Sequence, residues 1–68
     1  MDTLQQYQVI FVRDQGRILW DLVLVVHVDP DGWFRYRVLG AQPEERTFVP
    51  GLMEWKDLRH GPVFMSNE

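Results

Sequence analysis

From Tyr7 onward, apolar residues come in short runs that Gly and Pro interrupt at Gly16, Pro30/Gly32, Gly40/Pro43, Pro50/Gly51 and Gly61/Pro62. A break every ten residues or so suits short strands joined by turns. Between the breaks β-branched and aromatic side chains dominate, as on a pleated, half-buried surface. The pattern predicts strands at Tyr7–Arg13, Ile18–Val28 and Trp33–Leu39, with shorter ones at Thr47–Val49 and Val63–Met65.

The strongest local signal is Asp29-Pro30-Asp31-Gly32. Proline at the second turn position, with glycine where a left-handed residue is needed, predicts a type I turn closed by a glycine bulge. That turn pairs Asp29 with Trp33. Carried along the strands, the register sets His27 opposite Arg35 and Val25 opposite Arg37. On the other face Val28 meets Phe34, Val26 meets Tyr36 and Leu24 meets Val38. One face is then wholly apolar: Leu22, Leu24, Val26, Val28, Phe34, Tyr36 and Val38. The other is mixed: Asp21, Val23, Val25, His27, Trp33, Arg35 and Arg37. A slip of one residue would scramble both sets.

The first hairpin is ambiguous. Asp14-Gln15-Gly16-Arg17 reads as a turn, but Tyr7, Val9 and Phe11 form one apolar set and Ile10 and Val12 another, so either face suits a core. After Gly40 a polar loop is expected over Ala41–Arg46. Leu52 to Leu58 has apolar positions at helical spacing, predicting one or two helical turns that end at Arg59-His60-Gly61-Pro62. Trp20, in phase with Leu22 and Leu24, and Trp55, on the inner side of the helical turn, are expected in the core.

The sum is one all-β domain over residues 1–68: a small antiparallel five-stranded meander with a short helical turn before the last strand. The layout resembles the small SH3-like barrels in its order of elements, and no motif specific to one family accompanies that likeness. A β-sheet with a single helix packed across it is the alternative.

Composition narrows the chemistry. The 68 residues include three Trp, four Phe and two Tyr but no Cys, which excludes disulfides, thiolate nucleophiles and cysteine-ligated metals. A core this small seldom supplies more than about 3–5 kcal/mol, so dense aromatic packing or self-association must help. Ten acidic and seven basic residues leave a formal charge of −3, which disfavours a dedicated duplex-DNA binder. The first residues, Met1 to Gln6, carry no basic n-region, and the apolar run Leu22–Val26 is far below the ~20 residues of a membrane helix. A cytoplasmic protein is expected.

Catalytic signals are weak. The single serine, Ser66, lies in a polar tail, and no G-x-S-x-G, Walker A or G-x-G-x-x-G motif occurs. His27 and His60 have no ligand spacing, so neither a metal nor a cofactor is expected. Glu44-Glu45 and Asp29/Asp31 are explained by a polar loop and by turn formation. The candidate surface is Trp33, Arg35 and Arg37 in a row, with His27 beside them. Trp and Arg are the residues most enriched at binding hot spots. The same face would also stack on bases and neutralise phosphates. If the helical turn is exposed, Leu52, Met53 and Trp55 form a second candidate patch. The sequence therefore predicts a non-enzymatic module or regulatory subunit that binds another protein or a second copy of itself. A nucleic-acid-associated regulator is the alternative.

Overall fold

A computed structural model describes residues 4–41 and 43–58. Five strands form one antiparallel sheet: β1 (Val9–Asp14), β2 (Asp21–Val28), β3 (Phe34–Val38), β4 (Glu45–Phe48) and β5 (Met53–Asp57). Their order is β4-β3-β2-β1-β5, so the chain meanders to one edge and then returns to pair at the other. The sheet is not closed into a barrel. The expected strand Val63–Met65 and the stop at Arg59–Pro62 lie outside the described residues.

The helical turn expected over Leu52–Leu58 is a strand instead. No helix occurs among the described residues. The segment Met53-Glu54-Trp55-Lys56-Asp57 alternates, and the alternation decides its structure. Trp55 pairs with Val12 and Glu54 with Arg13 on β1, whose backbone edge would otherwise be open. The Arg13–Glu54 ion pair spans that ladder at 3.1 Å. A single turn does precede β5, but earlier: the N–H groups of Leu52 and Met53 both donate to Val49 O at 3.1 Å. Gly51 holds φ +92 in this turn, with nothing within 4 Å of where a Cβ would stand.

The turn at Asp29–Gly32 forms as expected. Asp29 N donates to Trp33 O at 2.9 Å, and Gly32 takes φ +95. His27 pairs with Arg35 and Val28 with Phe34. Beyond that point the expected register fails. A bulge between Val25 and His27 sets Val25 opposite Tyr36, Leu24 opposite Arg37 and Val23 opposite Val38. Val23 and Val25, expected on the mixed face, are fully buried, whereas Leu22, Leu24 and Val26 are only half-buried. The physical reason lies partly outside the hairpin. A bulge leaves a backbone group off the ladder, and here the segment before β1 takes up Val26 O and also continues the pairing along β2 at Val25. Gln6 Nε2 donates to Val26 O at 3.0 Å, and Tyr7 N donates to Val25 O at 2.7 Å.

The core gathers Ile10 and Val12 from β1, Val23 and Val25 from β2, Phe34 and Tyr36 from β3, and Phe48 from β4. The ambiguity of β1 is thus resolved with Ile10 and Val12 inward. Phe34 stacks on Phe48 at a centroid distance of 4.4 Å and meets Trp55 edge-on at 6.4 Å. In a flat sheet β3 and β5 would lie about 14 Å apart, three strand spacings. The Phe34–Trp55 contact shows that the sheet curls strongly around its aromatic face.

Trp20 is buried as expected, at 6% exposure, but away from that core. It is in phase with Leu22 and Leu24, and Arg13 and Lys56 each lie over its ring, 4.5 Å from the centroid. The atoms over the ring are the guanidinium carbon of Arg13 and Nζ of Lys56, a cation–π arrangement.

Candidate functional site

The curl leaves a cleft of about 410 Å³ at the end of the sheet where β2 turns into β3. Trp33 and Trp55 line it together with Leu4, Val28 and Pro30, and Asp29 stands among them. Each residue arrives for a local reason. The Asp29–Gly32 turn carries Pro30 and Trp33 past the end of β3. The alternation of β5 turns Trp55 to the same side as the core, where Phe34 holds its ring. Leu4 is returned by a tight bend in which Gln8 N donates to Gln5 O and Tyr7 adopts φ 68. A bulky residue seldom occupies that left-handed region, and the hydrogen bond from Tyr7 N to Val25 O holds it there.

Cleft openings of this size hold a few side chains of a partner. The lining is chiefly apolar, Trp33 is 40% exposed, and no Lys, Arg or His lines the cleft among the described residues. Asp29 Oδ1 faces His27 Nε2 at 3.0 Å. Asp31 Oδ1 accepts from Trp33 N at 3.4 Å, which steadies the turn that presents the indole.

The four residues singled out from sequence therefore divide. Trp33 belongs to the cleft, and His27 reaches its rim through Asp29. Arg35 and Arg37 do not line the cleft. They lie exposed along β3, where Arg35 Nη1 pairs with Glu45 Oε1 at 3.3 Å. Of the second patch, Trp55 lines the cleft; Leu52 is exposed in the turn before β5, and Met53 packs against the core and accepts from Val49 N through its Sδ at 3.4 Å. Leu4, Val28 and Pro30 were not singled out as site residues. Only a hairpin register and a curl that bring Trp33 beside Trp55 would have pointed to them.

A second, much smaller pocket of about 60 Å³ has polar walls that include Asp14, Asp21, Tyr36 and Arg46. It has room for a water or two rather than a ligand. Burial pushes the Tyr36 phenol above the ordinary tyrosine value; Arg46 draws it back, and Asp14 and Asp21 push it up further. No group of three or more His, Cys, Asp or Glu side chains arranged to hold a metal ion occurs among the described residues. Compared with known proteins, the chain matches no family model, no curated protein and no solved structure at a significant level.

Proposed function

We propose that this chain is a small protein-binding module that docks a segment of its partner in the cleft between Trp33 and Trp55, and that it acts by binding rather than by catalysis. The observation that carries this reading is that two indoles, one from the β2–β3 turn and one from β5, line a single open and largely apolar cleft. Tryptophan gives a large contact area at low entropic cost and is the commonest hot-spot residue. The strand order, and the one-turn connection between the two edge strands, resemble an SH3-like barrel left open. That likeness concerns fold alone, since such barrels host many unrelated functions.

The rival reading, a nucleic-acid contact through Arg35 and Arg37, has less support. Arg35 is occupied by Glu45, and the aromatic that would stack on bases lies in a cleft lined by a carboxylate. Selection of a random displayed-peptide library on the wild type and on Trp33→Ala tests the docking reading. The wild type is expected to enrich one sequence pattern that the variant, with an unchanged circular dichroism spectrum, does not. Enrichment of the same pattern on both proteins, or of none on the wild type, would refute it.

A further inference from the structure

We infer that the partner inserts a cationic side chain, arginine or lysine, between Trp33 and Trp55, with its head at Asp29. This inference rests on the docking reading above and adds the chemistry of the occupant. The cleft combines three features that select such a group. Among aromatic side chains indole attracts a cation most strongly, and two indoles line this cleft. Its apolar lining of Leu4, Val28 and Pro30 suits the methylene stem of a long basic residue. Asp29 supplies the opposite charge, and its second carboxylate oxygen takes no hydrogen bond among the described residues. No Lys, Arg or His of the described residues lines the cleft itself, and His27, which meets Asp29 Oδ1 from outside at 3.0 Å, leaves the other carboxylate oxygen to an occupant. The chain uses the same chemistry internally, where Arg13 and Lys56 lie over Trp20.

The charge around the cleft also argues against the other occupants. A phosphate-bearing ligand would meet Asp29, with Asp31 in the same turn. A second copy of this acidic chain would bring a formal charge of −3 against an equal one.

The test is a titration followed by the indole N–H resonances, in which Trp20 serves as the reference because Arg13 and Lys56 already cover it. The probes are three blocked tripeptides: leucine-arginine-leucine, its citrulline counterpart with the same shape and no charge, and its glutamate counterpart. The expected result is a shift of the Trp33 and Trp55 signals, with arginine preferred over citrulline by about threefold to thirtyfold and glutamate weakest. Asp29→Asn should reduce the preference by about twofold to fivefold, and added salt should reduce it further. Trp33→Leu keeps an apolar wall without the ring. It should therefore reduce the preference, of which Trp55 and Asp29 keep a part, while still binding the citrulline peptide.

Equal binding of the arginine and citrulline peptides would overturn the cationic occupant and leave the docking reading intact. Absence of any shift at millimolar peptide would overturn both. Shifts that appear on concentration alone, with a doubled mass in light scattering, would place a second copy in the cleft and refute the inference. Displacement of the arginine peptide by a single-stranded oligonucleotide would refute it in favour of nucleic acid.

Discussion

The bulge at Val26 is the feature on which the core depends, and a pair of near-isosteric substitutions tests it. Val25 has no exposed surface and packs in the core, whereas Val26, next in the chain, is half-buried outside it. Val→Thr conserves volume but exchanges a methyl for a hydroxyl. At Val25 the exchange forfeits about 0.8 kcal/mol of apolar transfer and buries a hydroxyl at a cost of about 1–3 kcal/mol if it finds no partner. The sum, about 2–4 kcal/mol, is a large share of the ~3–5 kcal/mol that a core of this size supplies. At Val26 the hydroxyl reaches water and the strand propensity of threonine is undiminished, so the change should stay within about 0.5 kcal/mol. Equilibrium urea unfolding, read by tryptophan fluorescence at constant m, measures both. Melting should fall by roughly 8–30 °C for Val25→Thr and by no more than a few degrees for Val26→Thr. If Val26→Thr costs as much as Val25→Thr or more, the unbulged register is correct and the core described above is wrong.

Other consequences can be measured on the same protein. Gly51→Ala should cost about 1–2 kcal/mol through backbone strain alone, since no atom stands near the added methyl, and Gly51→Asn should cost less; thermal melts of the two variants decide this. Lys56→Gln should lower stability by about 0.5–1 kcal/mol through loss of the contact with Trp20, seen as a lower urea midpoint with m unchanged. Arg35→Ala should change stability by less than about 1 kcal/mol, because its pair with Glu45 is exposed, and should leave peptide binding at the cleft unaltered. The Tyr36 phenol has a raised value in the folded state, so its contribution is complete below the unfolded value of about 10 and is lost as pH rises through the folded one. In a Tyr7→Phe background, where Tyr36 is the remaining tyrosine, alkaline titration at 295 nm should show a midpoint above that of the unfolded chain. Tyr36→Phe should flatten the loss of stability with rising pH.

Turn chemistry was legible in the sequence where one tetrapeptide sufficed to specify it. Asp29-Pro30-Asp31-Gly32 announced the central hairpin, and its first pairs, His27 with Arg35 and Val28 with Phe34, follow from that turn. The register was lost two residues later because Leu22 to Val26 is apolar at every position. Such a run carries no alternation to penalise a slip. What settled it was Gln6 and Tyr7 donating to the bulged strand, a contact between segments that no local pattern encodes. The segment 52–58 failed differently. Apolar residues at Leu52, Met53, Trp55 and Leu58 fit a helical face, while Met53-Glu54-Trp55-Lys56-Asp57 alternates. A run this short cannot separate the two periods. The open edge of β1 chose the strand.

That choice also explains why only part of the candidate site was legible. On a strict two-residue alternation Trp33 falls with Arg35 and Arg37, which suggests a basic, aromatic strand face. With the Gly32 turn and the curl of the sheet, Trp33 lines one cleft with Trp55, while Arg35 and Arg37 stay outside it. Reading Leu52–Leu58 as a helix placed Trp55 on its inner side, and at most in a patch with Leu52 and Met53 rather than beside Trp33. The cleft follows from the fold's own constraint. β4 and β5 lie at opposite edges of the sheet yet are joined by the short turn Val49–Leu52, so the sheet must roll toward closure. Phe34, Phe48 and Trp55 fill the roll at its centre, while the end bounded by the β2–β3 turn stays open. A domain with so small a core would gain stability by collapsing two indoles onto each other. Pro30 and the left-handed Gly32 fix the turn, and Phe34 fixes the ring of Trp55, so the two indoles line the cleft from separately anchored elements. Held apart in this way, they form a surface whose unspent contact area is available to a partner.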